Sequence, residues 1–268
     1  MHYTDQGAYD VRFDWGGNGL AALQDCATFI IVDVLSFSTC VSIAVDGGAA
    51  VLPFVYDAEA ALEFAKQHDA IVAGPRGVGS GYSLSPASLL GIASGTRLVL
   101  PSPNGSTLAS AAGGRESTRG SGSGGGSGSG SGSGGGRGRG RRSVLAGCLR
   151  NRSAVASVAA ARGGPVAVIA AGERWADGSL RPCVEDLWGA GAIIRALAGS
   201  RSPEASAACA SFSAAMASGL RELLLGCASG RELVERGFAE DVALAGALDV
   251  STAAAELRDG AFVRATLE

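Results

Sequence analysis

Lysine and histidine are nearly missing from this chain. Lys66 is its one lysine, and its histidines are His2 and His68. A P-loop needs a lysine directly after its glycines, whereas Lys66 sits inside the helical pattern Ala58–Gln67, which excludes P-loop nucleotide hydrolysis. Two distant histidines cannot build a histidine-rich zinc or two-metal centre. No Arg-His-Gly run occurs, and no cysteine has an arginine six positions on, so the histidine and cysteine phosphatase signatures are absent as well. The six cysteines, Cys26, Cys40, Cys148, Cys183, Cys209 and Cys227, show no Cys-x-x-Cys spacing and read as reduced thiols in ordinary packing. No apolar run approaches the roughly 20 residues that span a bilayer, and Met1 to Tyr9 carry Asp5 and no leader-like apolar core. The expectation is a cytoplasmic protein with no membrane partner.

What is present is apolar and small. With 268 residues, 47% of them hydrophobic, the chain can bury one substantial core or two smaller ones without staples. Three segments are expected: an α/β half over 1–112, a Gly/Ser/Arg-rich insertion over 113–142, and an α/β half with a helical tail over 143–268. The insertion cannot bury enough apolar surface to offset its ordering entropy, so it reads as a flexible excursion. Its Arg137-Gly-Arg139-Gly-Arg141-Arg142 end is similar to RNA-binding tracts but has no interleaved aromatic to stack on bases, which favours a linker over nucleic-acid binding. It holds six of the 22 basic and one of the 25 acidic residues, leaving 16 against 24, a balance of −8 for the rest. Net charge therefore does not draw in anions, and local donors must.

Short β-branched runs alternate with alanine-rich helical patterns, the mark of an α/β fold with mixed, mostly parallel sheets flanked by helices. Strands are predicted at Thr28–Val34, Ala50–Val55, Ala70–Ala73, Arg97–Leu100, Val144–Ala146 and Val166–Ala170. Helices are predicted at Ser38–Asp46, Ala58–Gln67, Ser106–Ala112, Ser153–Ala161 and Glu185–Leu197, then as an amphipathic series from Ser202 to Ala247 before a short strand near Phe262.

Polar residues gather just after the strands, where open α/β sheets place ligands. Asp33 is followed by Ser36, Ser38 and Thr39 at a helix start: an acid suited to a hard metal ion beside N–H groups suited to phosphate. The plainer reading is a capped helix with Asp33 accepting backbone hydrogen bonds, and the spacing leaves both open. Pro101-Ser-Pro103-Asn104-Gly105-Ser106 is a stiff turn whose Asn-Gly lets a ligand approach the backbone, although alone it is a common turn. Arg150 and Asn151 open another helix, where guanidinium forks suit phosphate or sulfonate oxygens or simply meet water. Gly172-Glu173-Arg174 follows a further strand. Glu185 and Asp186 begin a helix bearing Gly189 and Gly191 for close packing; they complement its dipole or hold a metal. Carboxylates with amides and hydroxyls point to Mg²⁺. Gly77-Val-Gly79-Ser-Gly81 lacks the third glycine and ribose-binding acid of a dinucleotide site.

As an ordered set these residues resemble the 2-phosphosulfolactate phosphatase family. The set comprises Asp33-Val-Leu-Ser-Phe-Ser-Thr39, Ser102-Pro-Asn104-Gly-Ser106, Ala146-Gly-Cys-Leu-Arg-Asn151-Arg-Ser-Ala-Val-Ala156, Ala171-Gly-Glu173 and Glu185-Asp186, with the tail Ser229 to Asp241 and Leu248-Asp249-Val-Ser251. The resemblance implies two similar α/β halves with a cleft between them, Mg²⁺ dependence, a homodimer, and hydrolysis of phosphosulfolactate to sulfolactate and phosphate on the route to coenzyme M. By this reading Asp33, Glu185 and Asp186 hold Mg²⁺, and Glu173 positions or deprotonates the attacking water. Asn104 and the helix-start N–H groups near Ser38 orient the phosphoryl oxygens. Ser36, Thr39, Gly105, Ser106, Arg150, Asn151 and Arg174 complete the substrate-binding set. Two positions depart from the family pattern: Ser36 stands where members carry arginine, and Ser83-Leu84-Ser85-Pro86 stands for Gly-Asn-Ser-Pro. With Ser36 there, Arg150, Arg174 or Arg76 would have to meet a sulfonate. The alternatives are a phosphatase of drifted specificity and a non-catalytic binder of a phosphorylated or sulfonated metabolite.

Overall fold

The computed structural model describes residues 3–55, 57–79, 81–114 and 142–267, so the insertion expected over 113–142 falls almost wholly outside the described residues. The first elements are β1 (Val11–Trp15), α1 (Gly16–Ala22), β2 (Thr28–Val32), α2 (Phe37–Asp46), β3 (Ala50–Phe54), α3 (Ala58–Gln67), β4 (Ile71–Val72), β5 (Arg97–Pro101) and α4 (Gly105–Ala112). After the insertion come β6 (Ser143–Gly147), α5 (Arg152–Arg162), β7 (Val166–Ala170), a small hairpin of β8 (Glu173–Arg174) and β9 (Leu180–Arg181), and α6 (Val184–Ala196). Four helices follow, α7 (Pro203–Ala217), α8 (Leu220–Gly226), α9 (Ala228–Glu235) and α10 (Ala239–Ala245), and then β10 (Ala255–Arg258) and β11 (Ala261–Arg264).

Nine of the strands form one mixed sheet in the order β1-β7-β2-β6-β10-β11-β3-β5-β4. Five of its pairings are parallel and three are antiparallel, the antiparallel ones all made by β10 and β11. The C-terminal hairpin thus bridges two parallel blocks, and strands from either side of the insertion are neighbours, since β2 lies between β6 and β7.

The period of two in a strand decides the cores. All five residues of β2 are buried. Its Ile30 and Val32 enter one core with Val168, Ile193 and Phe212, while Phe29 and Ile31 enter the other with Val41, Leu100 and Ile169. A strand apolar on both faces has helices on both, which is why Thr28–Val32 reads as a continuous hydrophobic run. A third, smaller cluster joins Leu52, Ala61, Ala65 and Val99 under α3. On one flank α6 meets α7 so closely that a Cβ on Gly191 would lie 2.1 Å from the Ala208 carbonyl oxygen, and one on Gly189 would lie 2.5 Å from Val34. Both glycines serve the close packing expected of them. Among the described residues no helix is long and apolar enough to cross a membrane.

Candidate active site

The chain leaves β2 at Asp33, which is 7% exposed. Its two carboxylate oxygens are divided between two helix starts: Oδ1 accepts from the Phe37 N–H at 3.1 Å, and Oδ2 accepts from the Gly105 N–H at 2.9 Å. Free N–H groups of the first helical turn are the natural partners of an anion, and here one acid joins α2 to α4 across 72 residues of sequence. Gly105 is required by that closeness, since a Cβ there would sit 2.4 Å from Phe37 Cδ1 and 2.7 Å from Asp33 Oδ2.

Asp186, in the first turn of α6, makes a matching brace. Its oxygens accept from the Val34 N–H at 2.7 Å and the Gly172 N–H at 2.8 Å, joining the loop after β2 to the loop after β7. Beside it lies buried Glu185, near Cys227, whose thiol donates to the Leu224 carbonyl at 3.2 Å and is pushed up to about 11 by burial and by this carboxylate. Burial first, then the charges of Glu173 and Glu185, push Asp33 up to about 6 against the opposing pull of its N–H partners. Asp186 is raised by burial and then by Asp33 and Glu185. Four acids therefore share one electrostatic neighbourhood in which no guanidinium is among the main influences on either aspartate.

Such a cluster suits a hard divalent cation, which would relieve both the desolvation and the mutual repulsion. Among the described residues no three His, Cys, Asp or Glu side chains form a ready metal-binding group. Mg²⁺ does not require one, because it keeps several waters and takes one or two carboxylates. Asp33 and Asp186 have each given a lone pair on both oxygens to backbone N–H groups, so Glu185 and Glu173 keep the most donor capacity, and the oxygen-only donor set fits Mg²⁺.

Most of the remaining expected residues hold the loops rather than face a ligand. The Ser38 hydroxyl donates to the Ile31 carbonyl at 2.9 Å and accepts from the Asp33 N–H at 3.1 Å, and Thr39 donates to the Val34 carbonyl at 2.8 Å. Ser106 donates to the Leu100 carbonyl at 2.7 Å. The Asn151 amide, fully buried, accepts from the Cys148 N–H at 2.9 Å and donates to the Ala146 carbonyl at 3.1 Å. The Arg150 guanidinium is tied to the Leu244 carbonyl at 3.0 Å, and the exposed Arg174 donates to the Gly178 carbonyl across its own hairpin at 3.1 Å. Asn104 precedes Gly105 with no hydrogen bond from its side chain to a described residue, which leaves its amide open to a ligand.

Next to these loops is a cavity of about 530 Å³, whose walls include Leu35, Leu84, Pro101, Glu173 and Arg76. Glu173 is thus the acid that both faces open space and acts on Asp33. Arg76, one of three arginines weighed for a second anion, is the one that lines this cavity, half-buried in its wall. Its Nη2 donates to the Ser36 hydroxyl at 2.8 Å and to the Leu84 carbonyl, and its Nε lies 3.5 Å from Asp241. Asp241 was not singled out from the sequence, although it lies in the first turn of α10 within the family-like tail.

Acids and helix N-termini are gathered at the strand ends of this mixed α/β fold, where open α/β sheets place their ligands. Residues 137–260, 124 of the 268, match the model of a family described as 2-phosphosulpholactate phosphatase, which supports the resemblance carried by the motifs and a phosphoric monoester hydrolase in general. The matched stretch holds Glu173, Glu185 and Asp186, while Asp33, Asn104 and Arg76 precede it. No curated protein matches the chain.

Proposed function

We propose that this chain is a Mg²⁺-dependent phosphatase that hydrolyses a small organic phosphate monoester, 2-phosphosulfolactate being the first candidate, to sulfolactate and phosphate on the coenzyme M route. The observation that supports it most is the junction of Asp33 with the starts of α2 and α4 beside a second braced acid, Asp186, and the cavity wall at Glu173. The Asn104 amide provides a donor for phosphoryl oxygens beside two helix starts whose leading N–H groups, those of Phe37, Ser38 and Gly105, already go to Asp33. Glu173 lines the cavity and is placed to accept a proton from water as it attacks phosphorus. Glu185 and Asp33 would hold the cation, with Asp186 keeping the two loops together. Bound Mg²⁺ supplies Lewis-acid charge stabilisation at phosphate oxygens.

Binding without turnover would need the same anion donors but no base at the cavity wall, and the position of Glu173 favours the enzyme. The test is release of inorganic phosphate from 2-phosphosulfolactate and a panel of small phosphate monoesters in the presence of Mg²⁺. Phosphate release with a preference within the panel supports the reading. Binding of the esters with no phosphate released from any of them would replace it with the binding protein.

A further inference from the structure

Of the charged side chains on the cavity wall, most are already committed. Asp57 caps α3 by accepting from the Ala60 N–H at 3.0 Å, and Glu232 pairs with Arg236 at 2.9 Å. That leaves Glu173 and Arg76. The Arg76 side chain is only 12% exposed and is held from three sides by residues remote in sequence: Ser36 and Leu84 at Nη2, Asp241 at Nε, and the Phe238 ring 5.3 Å from its guanidinium carbon. Neither its Nε nor Asp241 Oδ2 makes a hydrogen bond, although both are buried, so the pair is an ion contact of 3.5 Å and not a closed fork. Asp241 Oδ1 is occupied instead by the Ser85 hydroxyl at 2.6 Å and the Ala87 N–H at 3.0 Å. Arg76 Nη1 has no partner among the described residues. A guanidinium with its rotamer locked and an edge unused at a cavity wall binds an oxyanion at little further entropic cost.

We propose that Arg76, held in place by Ser36, binds the second acidic group, a carboxylate or sulfonate, of a small phosphate ester and makes the cavity select such esters over neutral ones. This rests on the phosphatase reading for its substrate, but not for its binding test. Ser36, itself buried behind the cavity wall, accepts from Arg76 and so fixes where the guanidinium stands. Ser36 thus presents to its loop an arginine from 40 residues away in sequence.

The experiment compares three esters that share a three-carbon frame: 2-phosphosulfolactate, with carboxylate and sulfonate; phospholactate, with carboxylate alone; and isopropyl phosphate, with neither. Ratios of kcat/KM are measured for wild type, Arg76→Met and Arg76→Lys. The ratio of either acidic ester to isopropyl phosphate should fall about tenfold or more in Arg76→Met and recover partly in Arg76→Lys. Whichever acidic ester loses more identifies the group held. An unchanged ratio, whatever the fall in absolute rate, makes Arg76 a brace for Asp241 and overturns the proposal. If Arg76→Met does not fold, Arg76→Lys carries the comparison by the same criterion. If wild type hydrolyses none of the three, the phosphatase reading fails, and calorimetric titration of the same esters decides instead. Weaker binding of the acidic esters by the variant supports the assignment; equal binding, or no binding by wild type, overturns it.

Discussion

Gly105→Ala adds one methyl group at the point where two helix starts and Asp33 meet. The new Cβ would lie 2.4 Å from Phe37 Cδ1 and 2.7 Å from Asp33 Oδ2, both well inside contact distance. Phe37 is fully buried and stacks edge-on against Phe262 at 6.1 Å, so it has little room to retreat, and the carboxylate is the softer neighbour. Overpacking of this kind costs about 1–3 kcal/mol. Near the middle of that range the thermal midpoint should fall by about 4–8 °C for a chain of this size. Moving Asp33 also weakens the 2.9 Å contact from the Gly105 N–H, and a misplacement approaching 1 Å costs a reaction on the order of a hundredfold. We therefore expect kcat/KM for phosphate release to drop by at least about tenfold. Gly226→Ala is the control, because its Cβ meets nothing within 4 Å at the end of α8. Helix propensity alone should make that variant more stable, by up to about 1 kcal/mol. The pair is read by thermal melting and phosphate release. A Gly105→Ala protein with wild-type midpoint and rate would refute the tight junction at Asp33.

Two further substitutions probe the frame. Glu256 accepts from Ser143 at 2.7 Å and from Arg162 and Arg258 at 2.8–3.0 Å; burial pushes its carboxyl up, but these donors prevail and hold it down at about 2. Its folded pKa is therefore depressed, so its stabilisation is complete above about pH 4.5 and is lost as pH falls towards 2, an effect of roughly 1–2 kcal/mol once screening of the half-exposed arginines is allowed for. Denaturant titrations should show Glu256→Gln less stable than wild type at pH 7, with the gap closing between pH 4.5 and 2; a gap independent of pH contradicts this. Gly191→Ala forces α6 from α7 against a 2.1 Å contact and should cost about 1–3 kcal/mol in the same titrations, whereas an unshifted midpoint would mean that the two helices are not so closely packed.

The strands and helices that feed both cores were legible because their pattern and their burial agree. Val166–Ala170 and Ala58–Gln67 fall where the runs place them, and β2 stops two residues before the predicted Val34 because Asp33 and Val34 turn to meet α2 and Asp186. The first strand and helix were not read. In β1, Arg12 is charged yet buried, satisfied by Asp25 at 2.8 Å and the carbonyls of Tyr9 and Asp5, partners that a local pattern does not reveal. In α1, the Gly16-Gly-Asn-Gly19 start opposes helix propensity, and tertiary packing overrides it: a Cβ on Gly19 would strike Asp14. The C-terminal hairpin was read as a single strand near Phe262, since its other half, Ala255-Glu-Leu-Arg258, gains its place from β6 and from the ionic cluster on Glu256.

At the site, the acids were legible as acids after strands. Their division of labour was not, because it depends on contacts such as Asp186 to Val34 across 152 residues. The hydroxyls of Ser38, Thr39 and Ser106 looked like ligand donors from their helix-start positions; once folded, each is fully buried and bonded to a carbonyl of its own strand or loop. Arg76 gains significance only when Ser36, Leu84 and Asp241 surround it.

The role proposed for the buried acids at the end of β2 and the start of α6 is metal-assisted phosphate release. The most direct measurement is phosphate release from 2-phosphosulfolactate by wild type and Asp33→Asn, each with added Mg²⁺ and with excess EDTA, and with melting curves to confirm that both are folded. Turnover by wild type is expected only with Mg²⁺ and to return when Mg²⁺ is restored, with a fall of at least about 10–100-fold in folded Asp33→Asn. Full wild-type turnover in EDTA, or an Asp33→Asn enzyme at the wild-type rate, would contradict it.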